Sequence, residues 1–121
     1  MVKKILIIED EDDFYFFYSL MLEDTPYSIS RVRNGKEAFE KMKEGKPDLI
    51  ILDLLLEQMS GEDVLKQLKS DPLYADIPVI IASSFSGKSY KSLFEIAPDL
   101  IFLEKPFDQE RLLEVVKSKL A

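Results

Sequence analysis

Four short, nearly unbroken apolar runs constrain this chain more than any other feature: Ile5–Ile8, Leu49–Leu52, Val79–Ala82 and Leu100–Leu103. Each is rich in Ile, Leu or Val and is bounded by turn-forming or charged residues. Apolarity that does not alternate implies burial on both faces, as in a parallel sheet covered above and below. A weaker fifth stretch, Tyr27–Val32, alternates around Ile29 and Arg31 and reads as an edge strand. Between these runs, apolar residues recur at helical spacing: Phe14, Phe17, Tyr18 and Met21, then Ala38, Phe39 and Met42, then Val64, Leu65 and Leu68, and finally Leu112, Leu113, Val116 and Leu120. Ser89–Ile96 is a weaker helical candidate. Asn34-Gly35 marks a turn or helix entry, Gly45-Lys46-Pro47 and Ser70-Asp71-Pro72 mark helix ends, and Asp108 suits the N-cap of the last helix. Strand followed by helix, five times over, predicts an α/β fold with right-handed crossovers and helices on both faces of the sheet. The 121 residues contain no linker, repeat or low-complexity stretch, so residues 1–121 read as one domain at roughly 100–200 residues per domain.

Composition narrows the chemistry. The formal charge is −7, which disfavours a nucleic-acid surface as partner, since such binding needs basic patches. No apolar run approaches membrane-spanning length, and the few apolar residues before Glu9 are too few for a signal-peptide core, so a cytoplasmic protein is expected. The chain has neither Cys nor His. Thiolate chemistry, disulfides, imidazole bases and Ser-His-Asp devices are therefore excluded. Carboxylates, hydroxyls and lysines remain.

In an open α/β sheet, ligands bind beyond the carboxyl ends of the strands. There the sequence places Glu9-Asp10-Glu11-Asp12-Asp13 after the first strand, Asp53 after the third, Ser83-Ser84 after the fourth and Lys105-Pro106 after the fifth. Singly, each has a plain explanation. Acid runs are usually solvated or oppose a helix dipole, a lone Asp often ends a strand in a turn, and Ser-Ser or Lys-Pro carries little information. Together they are specific, because four strand ends supply compatible groups. Glu9, Asp10 and Asp53 would repel one another strongly unless a cation sat between them, and a few hard oxygen ligands suit Mg²⁺. A Mg²⁺ site beside a Lys and a hydroxyl suits a phosphoryl group. Without His or Cys, the best nucleophile is a carboxylate, which can form an acyl phosphate.

These residues bring the chain to a family. It resembles, over essentially its whole length, the receiver domain of two-component response regulators of the chemotaxis-regulator type. The resemblance rests on Ile5-Leu6-Ile7-Ile8-Glu9-Asp10, on Leu49-Ile50-Ile51-Leu52-Asp53-Leu54 with Gly61 eight residues after Asp53, on Ile77-Pro78-Val79-Ile80-Ile81-Ala82-Ser83, and on Lys105-Pro106-Phe107. It implies a flavodoxin-like doubly wound (βα)5 fold. It further implies that Asp53 is the phosphoacceptor, that Glu9, Asp10, Asp53 and the backbone carbonyl of Leu55 hold Mg²⁺, and that Ser83 is the switch hydroxyl. Ser84 would offer its backbone N–H, Lys105 would pair with the phosphate across a cis bond to Pro106, and Phe102 would be the switch aromatic. The implied partners are a sensor histidine kinase or phosphotransfer protein and a downstream protein target, with no nucleic acid bound directly and no membrane insertion. The implied activity is that of a phosphoacceptor, with weak self-phosphorylation and autodephosphorylation, rather than of an enzyme. The alternative is a receiver-fold interaction module that works without phosphorylation, which the intact set Glu9, Asp10, Asp53, Ser83 and Lys105 disfavours. A flavodoxin-like nucleotide or flavin binder is disfavoured by the acids after the first strand, and the P-loop motif is absent.

Several residues depart from the family pattern. Ser83 stands in place of the commoner Thr and keeps the hydroxyl. Glu57 replaces a frequent Pro in the loop after the phosphoacceptor, and Pro98-Asp99 replaces a frequent Gly-Ala, so the fourth helix should end differently. Leu55 and Phe85 are bulky neighbours of the site, expected to shield a phosphoryl group from water. The run Phe14-Tyr15-Phe16-Phe17-Tyr18 is unusually aromatic. Residues 14, 17 and 18 suit a core stripe, which leaves Tyr15 and Phe16 as a candidate partner-binding patch.

Overall fold

The computed structural model describes residues 2–56, 58–84 and 90–120. Glu57 and Phe85, singled out above, lie outside the described residues. The strands are β1 (Lys4–Ile8), β2 (Ser28–Val32), β3 (Leu49–Leu52), β4 (Val79–Ser83) and β5 (Ile101–Glu104). The helices are α1 (Asp12–Met21), α2 (Gly35–Met42), α3 (Gly61–Ser70), α4 (Tyr90–Ile96) and α5 (Gln109–Leu120). All strand pairs are parallel, in the order β2-β1-β3-β4-β5. The fold is thus a doubly wound flavodoxin-like (βα)5 sheet, and Tyr27–Val32 marks an edge strand as expected. Strand boundaries shift by single residues: β1 starts one residue before the expected run, at Lys4, β2 one residue after its expected start, at Ser28, and β5 ends at Glu104. Ser83 is the last residue of β4 rather than the first after it, and β5 begins at Ile101 because the Leu100 N–H closes a turn onto the Ala97 carbonyl at 3.1 Å.

The continuous apolarity of the strands has a direct structural meaning. Side chains alternate across a strand. On β1, β3 and β4, Leu6, Ile8, Ile50, Leu52, Val79 and Ile81 join Ala38, Met42, Val64, Leu65, Leu68 and Leu93 of α2, α3 and α4. Their neighbours Ile5, Ile7, Leu49, Ile51, Ile80 and Ala82 join Tyr18, Leu112, Val115 and Val116 of α1 and α5 on the opposite face. Each fully buried Ile, Leu or Val contributes about 1.5–3 kcal/mol. The helix starts are fixed locally. Asn34 Oδ1 accepts from the Glu37 N–H at 2.9 Å, Ser60 Oγ from Asp63 at 3.2 Å, and Asp108 Oδ1 from Arg111 at 2.8 Å.

The strand order reverses between β1 and β3, since the chain goes from β1 outward to β2 and then back across to β3. Such a reversal opens a crevice at the carboxyl ends of the two strands. Ile8 pairs with Leu52, so Glu9 and Asp53 leave the sheet side by side, and the Asp53 N–H donates to the Ile8 carbonyl at 3.1 Å.

Candidate functional site

Among the described residues, Glu9, Asp53 and Ser83 are the charged or polar residues that are buried. Carboxylates are almost never buried without a partner. Here the partner is Lys105, whose Nζ lies 2.5 Å from Glu9 Oε1 and 3.4 Å from Asp53 Oδ2. Its peptide bond to Pro106 is cis. The Lys105 N–H donates to the Ser83 carbonyl at 3.0 Å, which ties the ends of β4 and β5 together. The ammonium also sits 3.9 Å from the centroid of the Phe14 ring, a cation–π contact. Phe14 packs edge-on against Tyr18 at 5.2 Å and Phe107 at 5.6 Å, so an aromatic wall backs the ion pair.

The carboxylates have few other donors. Glu9 Oε2 accepts from the Glu11 N–H and Asp53 Oδ1 from the Leu55 N–H, both at 3.2 Å. Burial pushes the Glu9 carboxyl up to about 7, against the pull of Lys105, and the nearby Asp53 charge adds to the rise. Carboxylate oxygens of Glu9, Asp10, Glu11 and Asp53 all lie within 4.8 Å of one another. This donor set fits a small hard cation. Glu11 is an addition to the expected set, and its backbone N–H already contacts Glu9.

Gly61 explains how tightly the loop after Asp53 is folded. A Cβ on Gly61 would meet the Asp53 carbonyl oxygen at 2.2 Å and the Leu54 Cα at 2.6 Å, so only glycine allows α3 to start there. Ser83 is fully buried and follows Val79 and Ile81 in the alternation, on the α3 and α4 side of the sheet. Ser84 is exposed just beyond it. Phe102, half-buried, packs with the cluster on that same side. Leu55 is exposed beside Asp53.

The structure corrects the reading of α1. Phe17, expected in the core stripe, is 49% exposed, and Phe16 is 59% exposed. The reason is rotation. At 100° per residue, Phe14, Tyr15, Tyr18, Met21 and Leu22 fill one arc facing the sheet and α5, whereas Phe16, Phe17 and Leu20 fall on the opposite arc. Tyr15 is half-buried under the Arg31 guanidinium, whose carbon lies 5.2 Å from its ring centroid. The exposed aromatic patch is therefore Phe16 and Phe17 with Leu20, without Tyr15.

Sequence reasoning missed Arg31 and Arg33. Arg31 Nε donates to the Glu9 carbonyl at 2.7 Å, and Arg33 Nη1 donates to the Asp10 carbonyl at 3.1 Å. Both guanidinium groups reach Asp12 Oδ1, at 2.9 Å and 2.6 Å, and hold its carboxyl below the ordinary carboxylate range. The signal available was Arg31 on an edge strand that runs beside the acid loop.

Comparison with known proteins agrees with this geometry. Residues 5–117 match the family model of the response regulator receiver domain. The polar-differentiation response regulator DivK of Brucella anthropi is 33% identical over 120 residues, covering 99% of this chain and 98% of that protein. The signal receiver domain of a signal transduction histidine kinase from Syntrophus aciditrophicus superimposes with a TM-score of 0.88 at 34% identity, covering 98% of this chain and 90% of that one. The phosphorylated cyanobacterial phytochrome response regulator RcpA gives 0.85 at 27% identity, covering 98% and 91%. The buried Glu9–Lys105–Asp53 contact at the switch point and the match over residues 5–117 lead to one conclusion: the chain belongs to the response regulator receiver domain family.

Proposed function

We propose that Asp53 accepts a phosphoryl group from a partner's phosphohistidine and that the resulting acyl phosphate changes the conformation read by a protein target. The observation that carries this reading is the buried Asp53 carboxylate, held 3.4 Å from the Lys105 ammonium within a cluster of acids at the switch point. An Asp53 carboxylate oxygen attacks phosphorus, the P–N bond breaks, and the electron pair stays on the partner's imidazole nitrogen. Glu9, Asp10, Asp53 and the Leu55 carbonyl would hold Mg²⁺, which, when bound, neutralises phosphoryl oxygens as charge develops in transfer. Lys105 exchanges its contact with Asp53 for one with the phosphoryl group. The Ser83 hydroxyl and Ser84 N–H bind phosphoryl oxygens, and Phe102 turns as Ser83 moves. Water attack on the acyl phosphate returns the Asp53 carboxylate and inorganic phosphate and resets the switch; the domain acts as a phosphoacceptor with weak self-phosphorylation and autodephosphorylation. Residues 1–121 contain no His, so the donor phosphohistidine lies outside them. A sensor histidine kinase or phosphotransfer protein fits, and the exposed Phe16, Phe17 and Leu20 on α1 offer it a docking patch. Among the described residues no helix is long and apolar enough to cross a membrane, and we place the domain in the cytoplasm with its kinase.

Intact-mass measurement after incubation with a small acyl phosphate and Mg²⁺ tests the reading. A gain of one phosphoryl group that disappears in Asp53→Asn supports it. Absence of any gain, with or without a kinase, overturns it in favour of a phosphorylation-independent module.

A further inference from the structure

Arg31 and Arg33 stand on β2 and just beyond it, outside the set of groups that handle the phosphoryl group. The Arg31 side chain is only 15% exposed, and that of Arg33 is half-exposed. Together they take the carbonyls of both acid-loop residues, Glu9 and Asp10, and pin the Asp12 carboxylate from two sides. The loop's other anchor is the Glu9 N–H, which donates to the Val32 carbonyl at 3.0 Å. The end of β2 thus holds the backbone of the acid loop at three points. The run of five consecutive acids, residues 9–13, is tied in this way at its start to the neighbouring strand.

Asp12 belongs to that run but not to the group of carboxylates within 4.8 Å of one another, which consists of Glu9, Asp10, Glu11 and Asp53. The arginines keep it engaged elsewhere. Arg31 Nη2 is buried with no hydrogen-bond partner among the described residues. An apolar side chain would pack against Tyr15 without leaving such a donor unpaired, so packing alone does not account for an arginine here. Nor does charge. Two cations beside an acidic cluster weaken its attraction for a metal ion at long range.

We propose that Arg31 and Arg33 are positioning residues of the cation site, holding the Glu9 and Asp10 carbonyls so that the carboxylates of this loop stay gathered with Asp53. This rests on the cation-binding reading given under Proposed function. The two ways in which the arginines could act have opposite signs. Acting through charge, their removal tightens Mg²⁺ binding. Acting through position, their removal weakens it, because groups that orient metal ligands typically change affinity about 10- to 100-fold.

The test is calorimetric Mg²⁺ titration of the wild type and of Arg31→Met, Arg33→Met and Asp12→Asn, with a thermal melt of each. Arg31→Met is expected to weaken Mg²⁺ binding about 10-fold, and Arg33→Met less, since it removes one carbonyl contact from a half-exposed position. Asp12→Asn leaves both arginine–carbonyl bonds in place and is expected to stay within about 2-fold of wild type. Unchanged or tighter binding in both arginine variants overturns the proposal. So does an Asp12→Asn loss equal to that of Arg31→Met, because the ion pair would then be the agent. Should Arg31→Met not fold, Arg33→Met alone decides by the sign of its change. A wild type that does not bind Mg²⁺ fails the underlying reading instead, so the two failures are distinguishable.

Discussion

Two lysines at opposite ends of the sheet are held in contrasting ways. Lys105, at the carboxyl ends of the strands, lies between the carboxylates of Glu9 and Asp53. Lys69, at the end of α3, donates to the Ala75 and Ile77 carbonyls, each at 2.9 Å, and clips the turn that leads into β4. Carbonyls are fixed and neutral, so Lys69 bears the cost of burial, which lowers its pKa against the pull of Asp99 and Asp76. Carboxylates can be protonated, phosphorylated or bound by a cation, so the partners of Lys105 can change. A lysine on backbone locks a connection, whereas a lysine on acids can respond to chemistry.

The contrast can be broken experimentally, and the largest effect belongs to Lys105. Lys105→Met is expected to retain Mg²⁺ binding but to lose the change in partner affinity on phosphorylation, a coupling of about 5- to 150-fold where such switches operate. Partner affinity that still responds to phosphorylation in this variant would remove the assigned role. Lys69→Met is expected to cost about 1–3 kcal/mol in urea unfolding and to leave Mg²⁺ affinity and phosphoryl uptake unchanged. An effect on uptake would erase the distinction between the two ends.

A third check is the pH dependence of stability in Mg²⁺-free buffer. The folded Glu9 holds its proton up to about 7, against 4.5 ordinarily. The folded state therefore binds more protons between these values, and stability falls as pH rises through that window. Glu9→Gln should flatten this slope in urea titrations repeated across pH. Lys69 works in the opposite direction. Its folded pKa is lowered from 10.5, so the unfolded chain binds more protons just below that value and stability gains as pH rises towards it. Tyr18, raised above its ordinary value by burial, titrates near the same pH with the opposite sign, so the Lys69 part is read as the difference between wild type and Lys69→Met. That difference and the one between wild type and Glu9→Gln should have opposite signs, and the same sign would contradict the description of these two groups. The smallest effect on stability is expected from Phe16→Ser on the exposed arc of α1, within about 0.5 kcal/mol by thermal melt. A larger loss would mean that Phe16 packs after all.

The sheet was legible because burial on both faces leaves continuous apolar runs, and the site because four such runs end in chemically matched groups. The rotation of α1 was not legible. Five aromatics in a row are compatible with several buried arcs, and packing against α5 and Arg31 selects one. The arginine clamp was equally hidden, since Arg31 and Arg33 lie 22 and 23 residues from the carbonyls they hold and meet them only through parallel β1–β2 pairing. Lys69 left no trace for a different reason: its partners are carbonyls, and every residue has one.

The alternation along the strands has a consequence at their ends. Glu9, Asp53 and Lys105 continue the rows of Ile7, Ile51 and Leu103, while Ser83 and Phe102 belong to the rows facing α3 and α4. The sheet is then a partition one strand thick, with the ion pair in one room and the hydroxyl and ring in the other. The rooms meet where β3 and β4 end, at Asp53 and Ser83. A visitor over α1 and a visitor over α4 stand on different sides of this wall and meet at that edge.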